Sequence, residues 1–209
     1  MFEKFEARFV RDTGTPPTQS PALTEPQRNA QLETFFSRFQ GASFDEGLYR
    51  VMDAERFEMA EQFVALAFPH LAKRAVPVSY NWLGHIFTLD LARREGNEPL
   101  MLMFEPESEE VLDIPCGLAA FHDEELLNYP DEALREGLYA NWLKAGGKAP
   151  ALDECVGYNV PFFLNGSDEM NNLGLTDIHV YWYLTAQLID RVRDLPLGTR
   201  IGKITIEDP

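Results

Sequence analysis

From residue 178 onward, apolar side chains recur at three- and four-residue spacing. Ile178, Tyr181, Trp182, Thr185, Leu188, Ile189 and Val192 fall on one helical face, which must be buried against the earlier chain. Thr176 is placed to accept from the free N–H groups of the first turn. Asp177 suits the positive end of the dipole, Arg191 and Arg193 suit the negative end, and Pro196 stops the helix. Ahead of this helix lie an apolar block and a polar turn carrying Asn165 and Gly166. At the other end of the chain, Phe2, Phe5, Phe9 and Val10 space as a short amphipathic helix. The stretch T-G-T-P-P-T-Q-S-P, residues 13–21, then reads as a proline-rich linker, which suggests only that this helix could be mobile. A second helix is expected from Thr24, with Pro26 in its first turn, Leu32, Phe35, Phe36 and Phe39 facing inward, and Gly41 ending it.

Residues 47–52, G-L-Y-R-V-M, alternate like a strand, and Asp53 follows as the cap of a helix carrying Phe57, Met59, Ala60, Phe63, Val64 and Phe68. Four short runs come next: A-V-P-V-S-Y-N, H-I-F-T-L-D-L, P-L-M-L-M-F and E-E-V-L-D-I. Connections of hairpin length join them, through Gly84, R-R-E-G-N-E and P-E-S-E, which predicts an antiparallel meander. The central runs are apolar on both faces, which predicts helices over at least one side of the sheet. Helical spacing resumes after Pro115, through Leu118 to Leu127 and from Pro130 to about Ala145, and R-I-G-K-I-T-I-E reads as a last strand. The predicted class is α+β: an antiparallel meander flanked by helices, with a mainly helical C-terminal third. It divides into an N-terminal helix and linker (1–27), an α+β region (28–115) and a C-terminal region (116–209) packed with the second as one unit.

Composition changes the picture through charge. Eighteen Lys and Arg against thirty-four Asp and Glu give a formal net charge of −16, which disfavours nucleic acid and anionic membrane as partners and allows a basic one, with solubility alone as the other reading. Cys116 and Cys155 are the only thiols, too few for a disulfide framework or a zinc site, and they fit a reducing cytoplasm. The first residues mix charge into their apolar positions, unlike a secretory signal, and no run approaches the ~20 apolar residues that cross a bilayer.

The motifs of common chemistries are missing. His70, His85, His122 and His179 stand apart from one another and read as structural or surface residues. There is no phosphate-cradling G-x-x-x-x-G-K-S/T, no G-x-G-x-x-G after a strand, and no nucleophile-elbow setting for Ser79 or Ser167. Paired acids such as Glu109 with Glu110 arise by chance in so acidic a chain and identify no hydrolase. No catalytic residue, metal ligand or cofactor site is expected.

Between Glu105 and Glu136 the carboxylates are Glu105, Glu107, Glu109, Glu110, Asp113, Asp123, Glu124, Glu125, Asp131, Glu132 and Glu136, against the single base Arg135. If this segment is the sheet edge and the following helix, the acids form one continuous negative surface able to steer and pair a basic partner. Glu105, Glu107, Glu109, Glu110, Asp113, Asp123, Glu124 and Glu125 are the candidate binding residues. A solvated face that guards an edge strand from aggregation accounts for the same pattern, and the two readings stay open here.

Two stretches carry a resemblance. Q-G-A-S-F-D-E-G-L-Y-R-V-M-D-A-E-R-F, with the later W-L-G-H-I-F-T-L-D, resembles the GAD-like N-terminal region of bacterial type VI secretion DNase immunity proteins. D-E-C-V-G-Y-N-V-P-F-F-L-N-G-S-D-E-M-N-N-L, ending V-Y-W-Y-L-T-A-Q-L, resembles their C-terminal domain, long catalogued as of unknown function. Together they span most of the chain from about Arg28. The chain departs from that pattern at Asn165, Gly166 and Ser167, where the family often has a Gly-Gly pair, and in a glycine-poor turn before Gly47. The resemblance implies a non-enzymatic cytoplasmic protein that neutralises a cognate toxin, expected to be a nuclease, by covering its basic substrate groove. Two other classes stay open: an interaction module of the same fold with an unrelated partner, and an enzyme with a carboxylate-rich cleft holding a divalent metal.

Overall fold

The computed structural model describes residues 1–14, 18–196, 198 and 199. The expected last strand, residues 200–207, lies outside the described residues. The chain runs α1 (Glu3–Arg8), α2 (Ala30–Phe39), β1 (Ser43–Phe44), β2 (Tyr49–Val51), α3 (Ala54–Ala67), β3 (Ala75–Asn81), β4 (Ile86–Glu95), β5 (Glu98–Glu105) and β6 (Glu110–Gly117). A helical run follows: α4 (Leu118–Ala120), a widened π turn (Phe121–Glu125), α5 (Leu126–Asn128), α6 (Pro130–Leu134) and α7 (Glu136–Lys144). The chain then forms β7 (Glu154–Tyr158), β8 (Leu173–Asp177) and α8 (Ile178–Val192).

The class is α+β. The four expected strands form an antiparallel meander, extended by β1 and β2 to a six-stranded sheet in the order β1-β2-β3-β4-β5-β6. β3 is buried along its whole length, because both faces of the sheet are covered. On one face Tyr49 and Phe87 meet Phe5, His122 and Phe121. On the other, Phe104 packs on Phe68, and the Tyr80 hydroxyl donates to the Leu152 carbonyl at 2.8 Å. Two strands run further than their apolar patterns. β4 continues through Arg93, Arg94 and Glu95 to a two-residue turn at Gly96 and Asn97, where Gly96 takes a positive φ of 61°. β6 continues past Ile114 to Gly117, and it tolerates Pro115 because it is an edge strand.

Caps moved two helix starts. α2 begins six residues later than its pattern, because Asn29 Oδ1 accepts from Leu32 N at 2.8 Å while Pro26 sits in a preceding turn. In α8 the cap is Asp177, whose Oδ1 accepts from Val180 N at 2.9 Å, and Thr176 belongs to β8 opposite Cys155. The apolar block before α8 is therefore one strand of a β7–β8 hairpin, so the C-terminal third is helices plus a small sheet. Gly157 is required there, since a Cβ would stand 2.5 Å from the Tyr181 ring of α8.

The first helix, which the linker would allow to be mobile, is docked. Phe2, Phe5 and Phe9 are all buried, and Phe2 and Phe5 meet the His122 ring at 5.6 and 5.1 Å. Asp123, in the π turn, accepts from the backbone N–H groups of Phe2, Lys4 and Phe5 at 2.8–3.1 Å and so caps α1 from outside it. One buried hydrophobic cluster runs from Phe2 to Ile189. Phe5→Ala is expected to cost about 3–5 kcal/mol in urea denaturation. A loss within about 0.5 kcal/mol, the ordinary size for a surface change, would show that α1 does not belong to the core.

Candidate functional site: acidic cleft and sheet edge

The structure divides the eight candidate acids by role. Glu107 is 3% exposed and its Oε1 lies 2.6 Å from His85 Nε2, so it is a buried ion-pair partner and not a surface group. Asp123 is occupied by the N–H groups of α1. Reversing the charge of either is expected to destabilise the fold, so neither is a clean test of binding. The others face solvent wholly or in part. Glu110 is exposed at the start of β6, Asp113 is 69% exposed with Arg93 Nη1 at 2.8 Å, and Glu124 is 63% exposed beside Lys4 at 3.9 Å. Glu109, half-buried at the hairpin, faces Arg193 Nε at 3.9 Å, and burial raises its pKa against the pull of that guanidinium. Glu125 is half-buried near Cys116, whose thiol is pushed up to about 11 by burial and then by Glu125, Glu124 and Glu95.

They do not make one continuous surface. Glu105, Glu109 and Glu110 stand at the β5–β6 hairpin, whereas Glu124 and Glu125 follow the opposite end of β6. Those ends are roughly 23 Å apart at a strand rise of about 3.3 Å per residue.

At the hairpin end the acids meet others that sequence distance had hidden. Glu105, Asp131, Glu132, Arg135, Leu138 and Asn141 line an open cleft of about 500 Å³ between β5 and the α6–α7 corner. The corner exists because Arg135 takes a positive φ of 53°, breaking the helix, while Asp131 Oδ1 accepts from Gly137 N at 2.7 Å. Arg135 is already engaged: its Nη2 reaches the two oxygens of Asp168 at 2.9 and 2.7 Å, and the Tyr158 hydroxyl donates to Asp168 Oδ1 at 2.6 Å. These donors hold the Asp168 carboxyl below its ordinary value despite burial. Asp131 and Glu132 therefore face solvent, Glu105 is half-buried, and Arg135, paired with Asp168, stays at the cleft wall within electrostatic reach of Glu105.

Behind Glu105 lies His85, 2% exposed. Burial alone would lower its pKa, but Glu107 and then Glu105 more than offset this and hold it above the ordinary imidazole value. Its Nδ1 stands 3.9 Å from Glu105 Oε1, too far for a hydrogen bond. Among the described residues neither His85 Nδ1 nor Glu107 Oε2 has a hydrogen-bond partner. His122 is the opposite case. Its Nδ1–H donates to the Leu118 carbonyl at 2.8 Å, its Nε2 meets the Tyr49 hydroxyl at 2.7 Å, and burial among aromatic rings lowers its pKa to about 4. Both histidines are structural, whereas His179 lies exposed against Phe63 and Tyr183. Among the described residues no group of three or more His, Cys, Asp or Glu side chains is gathered as a metal ion requires, and no helix is long and apolar enough to cross a membrane.

No protein-family model and no curated protein matches the chain. Among solved structures, a crystal structure of Atu4351 from Agrobacterium tumefaciens is similar, with a TM-score of 0.55 at 16% identity over 90% of this chain and 89% of that one. At that identity the likeness is one of fold.

The two buried histidines set opposite limbs of a stability profile. A lowered pKa means that His122 takes up a proton only on unfolding, so stability falls as pH drops from 6.5, by about 3 kcal/mol at pH 4. A raised pKa means that the His85 contribution is complete below the unfolded value and fades as pH rises through the folded one. Urea titrations across pH should show His122→Gln flattening the acid limb and His85→Gln flattening the alkaline limb. An acid limb that keeps its slope in His122→Gln contradicts the assignment.

Proposed function

We propose that this protein is an immunity protein, which binds and neutralises a cognate toxin, a nuclease, by covering its basic substrate groove. The observation that supports this most is the hairpin end of the sheet. There Glu105, Asp131 and Glu132 line one cleft on a chain of net charge −16, Glu110 is paired with Glu105 across the same hairpin, and the nearby cations Arg135 and Arg193 face Asp168 and Glu109. A surface of this kind presents to a nuclease what a nucleic acid backbone presents: closely spaced negative charge for its Lys and Arg side chains. Affinity also needs a desolvated anchor. Tyr129, 51% exposed and immediately ahead of α6 with Asp131 and Glu132, is the aromatic side chain best placed to supply one. The resemblance of residues 40–57, 82–90, 153–173 and 180–188 to the immunity family supports the same reading, and so does the cytoplasmic setting it implies.

The mechanism is occlusion. Long-range attraction brings the basic groove to the hairpin end, short-range pairing fixes it there, and phosphate backbone is kept out while the complex lasts. No bond is made or broken by this chain in that scheme.

The test is co-purification with the polypeptide encoded beside this protein, followed by that polypeptide's nuclease assay with and without it. A stable complex and abolished cleavage are expected. Cleavage undiminished at saturating protein sinks the proposal in favour of an interaction module with an unrelated partner. Within the complex, joint charge reversal of Glu110 and Glu132 should weaken binding by about tenfold or more and flatten its salt dependence, and Tyr129→Ala should speed dissociation. The same reversal at Glu124 alone, beyond the far end of β6, should leave affinity within about twofold.

A further inference from the structure

Away from the acids, a groove of about 400 Å³ runs between the β7–β8 hairpin and one flank of α8. Gly157, Gly174 and Leu175 line it from the hairpin, and Val180, Leu184 and Leu188 line it from the helix. Those last three recur every fourth residue, so they form a second apolar stripe on α8 beside the buried one of Tyr181, Thr185 and Ile189. The second stripe is not covered by the described residues: Val180 is exposed, and Leu184 and Leu188 are half-buried. Val160, beside the groove's Asn159 and Pro161, is exposed as well. No charged side chain among the described residues lines the groove. Its chemistry therefore suits an apolar segment of modest length.

We infer that this groove is the seat of the chain's own residues 200–207, R-I-G-K-I-T-I-E. The preceding residues aim the chain at it. Just beyond α8, Thr199 N donates to the Pro196 carbonyl at 3.0 Å and Gly198 takes a φ of +83°, which makes a reverse turn. Leu188, the near end of the groove's helical wall, lies only one turn before Val192, where α8 ends. The wall from Leu188 back to Val180 is roughly 12 Å long, and eight extended residues span roughly 26 Å, so the segment can cover it from end to end. Its pattern also matches. Period two puts Ile204 and Ile206 on one side and Lys203, Thr205 and Glu207 on the other. The two isoleucines stand about 6.6 Å apart along an extended chain, close to the roughly 6 Å between Leu184 and Leu188 along the helix. One apolar pair can thus face the other while the polar side keeps to water. The β6 edge suits this segment less well, because Glu110 and Asp113 flank its exposed Leu112 and Pro115 removes an N–H. The assignment is independent of the toxin reading.

The experiment is paramagnetic NMR on the full chain. A nitroxide is attached at Thr205→Cys, on the polar side of the segment, with Cys116→Ser removing the half-exposed native thiol. The amides of Leu184 and Leu188 are expected to lose most of their intensity, while that of Leu112 keeps its own. Ile204→Glu together with Ile206→Glu in the labelled chain should restore both signals. The inference is overturned if Leu184 and Leu188 stay sharp, if Leu112 broadens in their place, or if the double variant leaves the broadening unchanged. A mixture of spin-labelled chain with unlabelled nitrogen-15 chain separates the segment from that of a second copy. Sharp Leu184 and Leu188 signals are expected from the nitrogen-15 chain in that mixture, and their loss would give the groove to a neighbouring molecule and overturn the assignment.

Discussion

Five residues at the β3–β4 turn, from Asn81 at the end of β3 to His85, hold the sheet to everything that follows it. Asn81 Oδ1 accepts from Leu83 N and His85 N at 3.0 and 3.1 Å, closing the turn, and its Nδ2 donates to the Ala133 carbonyl at 3.3 Å. Trp82 Nε1 donates to the Leu134 carbonyl at 2.8 Å, and the Trp82 carbonyl accepts from Val156 N of β7 at 2.8 Å. Gly84, at φ +82°, presents its carbonyl to Trp182 Nε1 of α8 at 2.7 Å, and a Cβ there would stand 3.3 Å from Cys155 Sγ. His85 then pairs with Glu107 of the β5–β6 connection. One turn therefore fixes α6, β7, α8 and the far hairpin against the same strand ends. Each of these groups is buried, so leaving any of them unpartnered costs about 1–3 kcal/mol, which makes the arrangement strongly preferred over alternatives.

The acidic cleft follows from that turn. Its walls come from β5 and from α6–α7, which share little sequence and meet because Trp82 and Asn81 hold the α6 carbonyls while His85 holds Glu107. A buried arginine completes the join from the sheet side. Arg50, 1% exposed, donates through Nη1 to the Glu154 carbonyl at 3.0 Å and through Nη2 to the Pro150 carbonyl, and it lies over the Tyr80 ring at 5.5 Å. Carbonyl dipoles and a ring face, in place of a carboxylate, compensate its charge.

Much of this was legible in the sequence. Period-two and period-3.6 patterns located β2 to β6, α3 and α8, because each of those elements buries one face or two and the side chains record it. The patterns failed where a polar residue decides. Asn29 and Asp177 moved helix starts, and the alternation of β4 faded at Arg93 and Arg94 although the backbone ladder continued. The hairpin of β7 and β8 was hidden because α8 and Trp82 cover β7, so Cys155 and Val156 showed no alternation. The acid run was visible as composition, but its division was not. Glu107 and Asp123 look no different in sequence from Glu110 and Glu124. Only the fold makes one an ion pair with His85 and the other the cap of a helix 118 to 121 residues away. Asp131 and Glu132 were counted with the acids of that run, yet nothing in their spacing placed them opposite Glu105.

The claim on which the account depends is that the Asn81–His85 turn joins the sheet and the β7–β8–α8 unit into one cooperative structure. Native-state hydrogen exchange at rising urea tests it directly. The amides of Phe87 in β4 and Val156 in β7 are predicted to converge on a single opening free energy equal to that of global unfolding. Exchange of Val156 through a separate opening, several kcal/mol below that of Phe87, would contradict it and show that the C-terminal unit comes away while the sheet remains folded.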